Sequence, residues 1–256
     1  MRSSARSETE CRLSANCQAL PGLEDEARRL LGQAGRIGLT IRAFGGVAVA
    51  MLCPSAANPP LARVYKDLDL VGLRSQRKLM HEFLTSCGYQ PDEAFNALNG
   101  RDRLLYWDPA NQRPLDIVLN TFSMCHRLEL ADRLGLNPLT LDPTDLLLTK
   151  LQVVELGEND ALDTISLLLD CDIDGARMSE VLASDWGWWR TVSQNLTRIS
   201  DFARTLKGFD AADAIAGQAR QVMIHAEQAP KSYRWRARSR LGDRVRWYEI
   251  PEEEPE

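Results

Sequence analysis

Hydrophobic residues recur every three to four positions in several parts of the chain, beginning with residues 22–34. This spacing is typical of a helix that buries one face and exposes the other. A glycine after the last hydrophobic position, as at Gly88, indicates where such a helix ends. The pattern therefore predicts helices over residues 22–34, 47–52, 75–87, 146–154, 160–169, 179–198 and 210–228.

Shorter apolar runs, bounded by glycine, proline or asparagine, predict β-strands between these helices. The predicted strands cover residues 41–44, 67–73, 103–108 and 114–120. Turn residues at positions 109–112 favour a hairpin between the last two strands. A second hairpin is predicted over residues 231–250, because Gly242 and Asp243 form a turn pair between two tryptophans.

Strands and helices alternate in the first half of the chain, and helices fill most of the second half. This order predicts an α+β fold with a helical C-terminal half. The chain has 256 residues, which is enough for two domains. We predict a flexible N-terminus over residues 1–20, an α+β domain over 21–130, a helical domain over 131–230, and a basic hairpin with an acidic tail over 231–256.

The composition is that of a soluble globular protein, with 44% hydrophobic and 26% charged residues. The net charge of −5 gives no overall basic field that would attract nucleic acid. The six cysteines form no C-x-x-C pair, so we expect reduced thiols and neither a zinc site nor a disulfide framework. The polar start predicts no signal peptide, and no apolar run reaches the length of a membrane span. We therefore expect a cytoplasmic protein without membrane contact.

Basic residues are concentrated in residues 231–246, where seven lysines and arginines accompany a single acid, Asp243. If this segment is a strand, its alternate arginines share one face. Such a row is able to grip an RNA backbone. Alternatively, the same arginines pair with the acidic residues Glu252, Glu253 and Glu254 that follow.

Two glycines, Gly45 and Gly46, end the first predicted strand and open the following helix. Without a side chain, backbone N–H groups at such a turn approach an anion closely, and a helix N-terminus favours negative charge. A phosphate therefore suits this position. A tight strand-to-helix turn without any ligand is the alternative interpretation.

Asp67 and Asp69 stand two residues apart on the second predicted strand, so their side chains point to the same face. Two neighbouring carboxylates repel each other, and a divalent cation removes that penalty. Mg²⁺ is commonly held by one or two carboxylates together with substrate phosphates. The alternative is an exposed edge strand with its acids in solvent.

Asp116 is the single acid in the otherwise apolar run at residues 115–119. A carboxylate in such a run is costly unless it is paired, exposed or bound to a metal. One interpretation is a third carboxylate that faces Asp67 and Asp69 from a neighbouring strand. A position at the rim of the hairpin is the alternative.

The order of these motifs resembles the DNA polymerase β-like nucleotidyltransferase superfamily. The resemblance covers Gly45, Gly46, Asp67, Asp69 and Asp116. It implies a mixed-sheet catalytic core, one or two Mg²⁺ ions held by the three aspartates, and a nucleoside triphosphate such as ATP bound near the glycine turn.

Two later segments, residues 145–152 and 159–163, are similar to those of bacterial nucleotidyltransferases of the abortive-infection (AbiEii) toxin type. This similarity implies that Lys150 contacts the triphosphate, as Lys66 is also expected to do, and that Asp160 or Asp163 orients Lys150 or the acceptor. Alternatively, Lys150 is a solvated lysine, and the two acids favour the start of a helix.

The activity implied is transfer of a nucleoside monophosphate to an acceptor hydroxyl or phosphate, with release of pyrophosphate. The acceptor is RNA, a protein or a small molecule, and the toxin-type similarity adds an antitoxin as a partner. Two alternatives remain open. One is a non-catalytic nucleotide-binding or partner-binding protein on the same fold, and the other is a metal-dependent hydrolase that uses the same acids.

Other conspicuous residues favour structural roles. Adjacent residues usually diverge in direction, so Cys125 and His126 are interpreted as buried structural residues and not as a nucleophile with its base. Trp186 and Trp189 fall on one helical face and are interpreted as core residues.

Overall fold

The computed structural model of the chain describes residues 19–250. These residues form two compact units whose segments alternate along the sequence. The sheet unit comprises the described residues up to Val47, Tyr65–Thr121 and Ala131–Leu141. The helical unit comprises Ala48–Val64, Phe122–Leu130 and the described residues from Asp142 onward.

The predicted boundaries differ from this division, because they gave each domain one continuous segment. The predicted α+β domain over 21–130 and helical domain over 131–230 each contain parts of both units. Most of the N-terminus predicted to be flexible, and the acidic tail after residue 250, lie outside the described residues.

The sheet-forming elements and the helices are bounded as follows. The strands are β1 (Ile41–Ala43), β2 (Leu68–Gly72), β3 (Gln90–Pro91), β4 (Arg103–Asp108), β5 (Arg113–Leu119), β6 (Thr121–Ser123) and β7 (Arg127–Glu129). The helices are α1 (Leu23–Arg36), α2 (Gly45–Leu52), α3 (Arg77–Ser86), α4 (Glu93–Asn99), α5 (Pro143–Leu151), α6 (Glu158–Asp170), α7 (Gly175–Ser184), α8 (Trp186–Thr205), α9 (Ala212–Gln228) and α10 (Tyr233–Leu241).

The main sheet has five strands in the order β1-β2-β5-β4-β3. The β2 and β5 strands pair in parallel, and the other neighbours pair antiparallel. The sheet is therefore mixed, and the predicted α+β fold class is confirmed. The predicted hairpin between β4 and β5 is also present, with Gln112 in its turn at a positive φ of 53°.

The core of the sheet unit follows from strand alternation, which sends every second side chain to the same face. Leu68 and Leu70 of β2 are fully buried, as are Leu115 and Ile117 of β5. Between these leucines stands Asp69, which is only half-buried. The face of β2 and β5 with these residues therefore belongs to the core, and the opposite face carries Asp69 and Asp116 together with the buried Val71 and Val118.

A buried carboxylate, Glu26, connects three parts of the sheet unit. Arg29 donates two hydrogen bonds of 2.7 Å to its oxygens from the next turn of α1. Tyr89 donates from beyond α3 at 2.7 Å, and the backbone N–H of Leu20 donates at 2.9 Å. Because Glu26 is fully buried, each of these donors offsets the cost of keeping its charge away from water.

One predicted helix of the helical unit is divided in the structure. The helix predicted over residues 179–198 is two helices, α7 and α8, which are separated at Asp185. The extended backbone of Asp185 ends α7, and its carboxylate accepts a hydrogen bond of 3.0 Å from the N–H of Trp188. An aspartate that satisfies a free N–H group in this way caps a new helix.

The hairpin predicted over residues 231–250 is wrong. Residues of this segment form the helix α10, which Ser232 caps by accepting a hydrogen bond of 3.1 Å from the N–H of Trp235. Across residues 19–250, no helix combines the length and the hydrophobicity that crossing a bilayer requires. The four cysteines in this range form no disulfide, as predicted.

We predict that Tyr89→Phe lowers the free energy of unfolding by about 1–3 kcal/mol. The substitution removes one hydrogen-bond donor from the buried Glu26 carboxylate, and the shape of the side chain at position 89 is otherwise unchanged. Urea unfolding followed by circular dichroism measures the change. Tyr233→Phe is the matched control, because Tyr233 is 85% exposed, and we expect less than about 0.5 kcal/mol there. Equal stability of the two variants would contradict the role of Tyr89.

Candidate functional site

Two of the predicted aspartates lie side by side in the sheet. Asp69 of β2 is the register partner of Asp116 of β5. Register partners on adjacent strands point to the same face, so both carboxylates stand on the face opposite to Leu68 and Leu115. Both are half-buried. This placement rules out the interpretation of Asp69 as an acid on an edge strand, since β2 lies between β1 and β5.

Asp67 lies just outside this arrangement. It precedes the first residue of β2 and is exposed, so strand pairing does not fix the direction of its side chain. Lys66 is also exposed. Both residues are close in sequence to Asp69, and their predicted roles at the site stay predictions.

The glycine turn is in direct contact with Asp69. Gly45 begins α2 with a positive φ of 63°, which L-residues with a side chain rarely adopt. A Cβ atom placed on Gly45 would overlap the Asp69 carboxylate. The N–H of Phe44 also donates to the Asp69 carbonyl at 3.0 Å. Because Gly45 has no side chain, the Asp69 carboxylate can reach the start of α2. Gly46 is the second residue of this helix.

Arg103 of β4 holds Asp116 in a bidentate ion pair. Its Nε atom lies 2.9 Å from each carboxylate oxygen, and its Nη2 atom lies 2.5 Å from Oδ2. A second contact places the guanidinium 5.8 Å from the centre of the Phe95 ring. If Asp116 is to bind a cation or accept a proton, Arg103 must share or release one of these oxygens.

Arg103 is not among the predicted site residues, although the sequence contains a signal for it. The predicted hairpin places Leu105 opposite Asp116, and strand alternation then puts Arg103 on the same face. A diagonal arginine and aspartate at that separation are within reach of each other.

The donor set at this face suits Mg²⁺ in part. In the stretch from residue 19 to residue 250, no group of three or more His, Cys, Asp or Glu side chains is arranged to hold a metal ion. Asp69 and Asp116 alone supply two hard carboxylate ligands, a number that Mg²⁺ often accepts when phosphates complete its shell. The three-ligand site with Asp67 stays a prediction.

Lys150 lies in the helical unit, within a cluster of charged residues. Its Nζ atom is 2.9 Å from a carboxylate oxygen of Asp160 and 2.9 Å from one of Asp163. Arg63 makes a bidentate pair with the same Asp163, at 2.8 and 2.6 Å. Asp163 is almost completely buried, so the two cations balance its charge.

These contacts exclude the interpretation of Lys150 as a solvated lysine. Burial lowers the pKa of a lysine, but the neighbouring Asp163 and Asp160 carboxylates outweigh that effect and raise the pKa of Lys150. Lys150 is therefore a charged, largely buried residue and not a solvated one. Its predicted contact with a triphosphate stays a prediction.

A separate pocket of about 450 Å³ lies in the sheet unit and contains none of the predicted site residues. His81 and Tyr106 meet in its wall, with Nδ1 and the hydroxyl 3.1 Å apart. Burial raises the pKa of Tyr106 to about 12. Acid-base chemistry near neutral pH is not expected from a tyrosine with so high a pKa.

His126 has a structural role, as the sequence suggested. Its Nε2 atom lies 2.8 Å from the Thr191 hydroxyl, and its ring lies 5.0 Å from that of Trp188. Burial lowers the pKa of His126 to about 4. The neighbouring Cys125 is buried, and its sulfur accepts from the N–H of Val154 at 3.5 Å.

No protein-family model matches the chain, and no curated protein matches it significantly. One similar solved structure is the crystal structure of an antigenic nucleotidyltransferase-like protein from Paracoccidioides brasiliensis. The two proteins are 13% identical, the alignment covers 85% of this chain and 98% of that one, and the TM-score is 0.41. A similarity of this size carries no argument about the family or activity of this chain.

We predict that Gly45→Ala destabilises the protein by about 2 kcal/mol or more, because it combines an unfavourable positive φ with an overlap against Asp69. Urea unfolding measures the loss. The matched control is Gly32→Ala, which places the same methyl group in open space on α1. Since alanine favours a helix more than glycine does, the control is expected to gain about 0.5–1 kcal/mol. A neutral Gly45→Ala would show that Asp69 does not need this turn.

We also predict that acid weakens the fold through His126. The unfolded chain binds a proton at His126 near pH 6.5, whereas the folded protein binds it only near pH 4. The free energy of unfolding therefore falls as pH drops through this window, by up to about 1.4 kcal/mol per pH unit. Unfolding curves at several pH values measure the slope. His126→Gln should flatten it, and His225→Gln on the exposed side of α9 should not.

Proposed function

We propose that the sheet unit is the catalytic domain of a Mg²⁺-dependent nucleotidyltransferase of the DNA polymerase β-like superfamily. The observation that carries this proposal is the pairing of Asp69 with Asp116 on parallel strands, beside the Gly45 turn. Two carboxylates and a glycine helix start provide acidic oxygens next to the first N–H groups of α2. That combination suits a metal-bound triphosphate.

Each group has a role in the proposed reaction. The acceptor oxygen attacks the α-phosphorus of the nucleoside triphosphate, and the bond to the leaving pyrophosphate breaks. Asp69, with Asp67 close in sequence, would hold Mg²⁺, which when bound neutralises the charge developing on the phosphates. Asp116 accepts the proton of the attacking hydroxyl or serves as a further ligand. The N–H groups at Gly45 and Gly46 bind phosphate oxygens.

Finer assignments belong to the same proposal. The nucleotide is a nucleoside triphosphate, and the acceptor is RNA, a protein or a small molecule. Membership of the AbiEii toxin-type branch, with an antitoxin partner, rests on the sequence similarity around Lys150 and Asp160. Lys66 and Lys150 would then contribute positive charge toward the triphosphate.

The Arg103 pair favours a second candidate function. Arg103 already neutralises Asp116. Such a pair is expected in a protein that keeps the fold but no longer carries out the metal-dependent step. The second candidate is therefore a non-catalytic nucleotide-binding protein. In such a protein Arg103 stays on Asp116 when the nucleotide binds, and affinity does not require Mg²⁺.

The test is incubation with each α-labelled nucleoside triphosphate and Mg²⁺ in the presence of RNA, protein and metabolite fractions. We expect label in one fraction, and we expect Asp69→Asn to reduce the transfer rate by roughly 100-fold or more, as is typical when an electrostatic group of an active site is removed. Asp213→Asn, at an exposed acid of α9, is the matched control and should leave the rate unchanged.

Other outcomes identify the alternatives. Nucleotide binding that does not depend on Mg²⁺, without label in any fraction, identifies the binding protein. Release of free nucleotide or phosphate without a labelled acceptor identifies a hydrolase. Equal transfer by the Asp69→Asn variant and by wild type would refute the proposed site.

A further inference from the structure

The helix α10 is fixed to the helical unit by its aromatic face. Trp235 donates a hydrogen bond of 3.0 Å from its ring nitrogen to the carbonyl of Leu182. Its ring meets that of Trp189 edge-on, with centroids 5.7 Å apart. One turn further along, the guanidinium of Arg238 lies 4.7 Å from the centre of the Trp186 ring. These contacts fix which side of α10 faces the unit.

The segment after α10 is attached as well. Arg238 donates to the carbonyl of Gly242 at 2.9 Å and also to that of Val245. Asp243 forms a bidentate ion pair with Arg190 of α8, with distances of 2.9 and 2.5 Å. The one acid inside this basic segment is therefore occupied by an arginine from another helix, so it does not neutralise the arginines of α10.

The opposite side of α10 carries cations and one aromatic ring. Tyr233, Arg236 and Arg240 stand at positions i, i+3 and i+7, which fall on one face of a helix. All three are exposed, Tyr233 by 85%. Arg234 is exposed beside them. Among residues 19–250, no carboxylate forms an ion pair with Arg234, Arg236 or Arg240.

The combination of groups on this face selects its ligand. Arginines spaced along a helix match a chain of phosphates, and an exposed tyrosine offers a ring on which a base stacks. A helix that binds a membrane needs an exposed apolar face, whereas the aromatic face of α10 is already packed against α7 and α8. The protein as a whole is acidic, so this positive charge is local and not part of a general basic field.

We propose that the outward face of α10, formed by Tyr233, Arg236 and Arg240 and flanked by the exposed Arg234, binds single-stranded nucleic acid. The arginines contact successive phosphates and Tyr233 stacks on a base. This surface goes beyond the proposed reaction, because it binds whether or not the sheet unit transfers a nucleotide. We expect little or no preference for a particular nucleotide sequence, since neither stacking nor phosphate contacts distinguish one base from another.

The first test is fluorescence anisotropy of the full-length protein with a labelled oligouridylate of about 12 nucleotides. Three phosphate contacts give a slope of log affinity against log salt of about −2, so affinity should fall about 20-fold between about 50 and 200 mM salt. Arg236→Gln/Arg240→Gln should weaken binding by about tenfold or more at low salt and reduce the slope by more than about 1.

The matched control is Lys207→Gln/Arg220→Gln, which removes the same charge from exposed positions elsewhere in the helical unit. Glutamine is a good helix former, so both double variants should remain folded, as circular dichroism will verify. Equal loss of affinity in the two double variants would refute the proposal, because it would show that only the net charge matters.

A second test separates stacking from charge. Tyr233→Ala should weaken oligouridylate binding about fivefold or more, and Tyr233→Phe should bind like wild type, because the phenyl ring stacks as well. Identical binding by all three proteins would leave no role for the ring and would overturn the stacking part of the proposal.

Competing occupants of the face are distinguished by further probes. If the acidic residues that follow occupy it, wild type fails to bind the oligonucleotide, and Glu252→Gln/Glu253→Gln/Glu254→Gln binds it. If a lipid surface is the partner, Arg236→Gln/Arg240→Gln loses binding to vesicles containing phosphatidylserine but not to oligouridylate. Polyglutamate that binds as tightly as the oligonucleotide indicates an acidic protein. Each of these three results overturns the proposal.

Discussion

The parallel pairing of β2 with β5 is the constraint on which the candidate site depends. Adjacent strands lie about 4.8 Å apart, so register partners are brought close together whatever their chemistry. Here the partners are Asp69 and Asp116, two groups that repel each other when both are charged. The hydrophobic face of the same strands fixes that register, because a shift by one residue would move their leucines to the face that carries the two aspartates. Core packing thus opposes the repulsion, and Arg103 reduces it from β4.

Much of the sheet unit was predictable because its elements are set by local pattern. The Gly45 turn, the strand with Asp69 and the β4–β5 hairpin all follow from residues close together in sequence. The parallel contact between β2 and β5 does not. A parallel pair needs a long crossover, which here includes α3, β3, α4 and β4, and no local signal states which strands meet across it. Resemblance to a family supplied the expectation that Asp116 faces Asp69. The ion pair with Arg103 was deducible from the hairpin register but was missed.

The errors in the helical unit come from patterns that two structures share. Arginine alternates with other residues from Arg234 to Arg240, and this alternation predicts a strand. Two features favour a helix here. Ser232 caps its first turn, and Trp235 and Arg238 are three residues apart, so they lie on the same side of it. Similarly, the hydrophobic period continues across Asp185, so a single helix was predicted where a capping aspartate starts a new one. In both segments one polar capping residue outweighed a longer sequence pattern.

The alternation of the two units along the sequence affects how the protein is made. Within the described residues the chain passes from one unit to the other after Val47, Val64, Thr121, Leu130 and Leu141. A ribosome therefore delivers the first pieces of the helical unit long before their partners exist. Arg63 emerges about 100 residues ahead of Asp163, with which it pairs. Domains generally fold as they leave the ribosome, starting from the N-terminus. Here the sheet unit is complete only at Leu141, and Arg63 lacks its partner Asp163 until α6 has been synthesised.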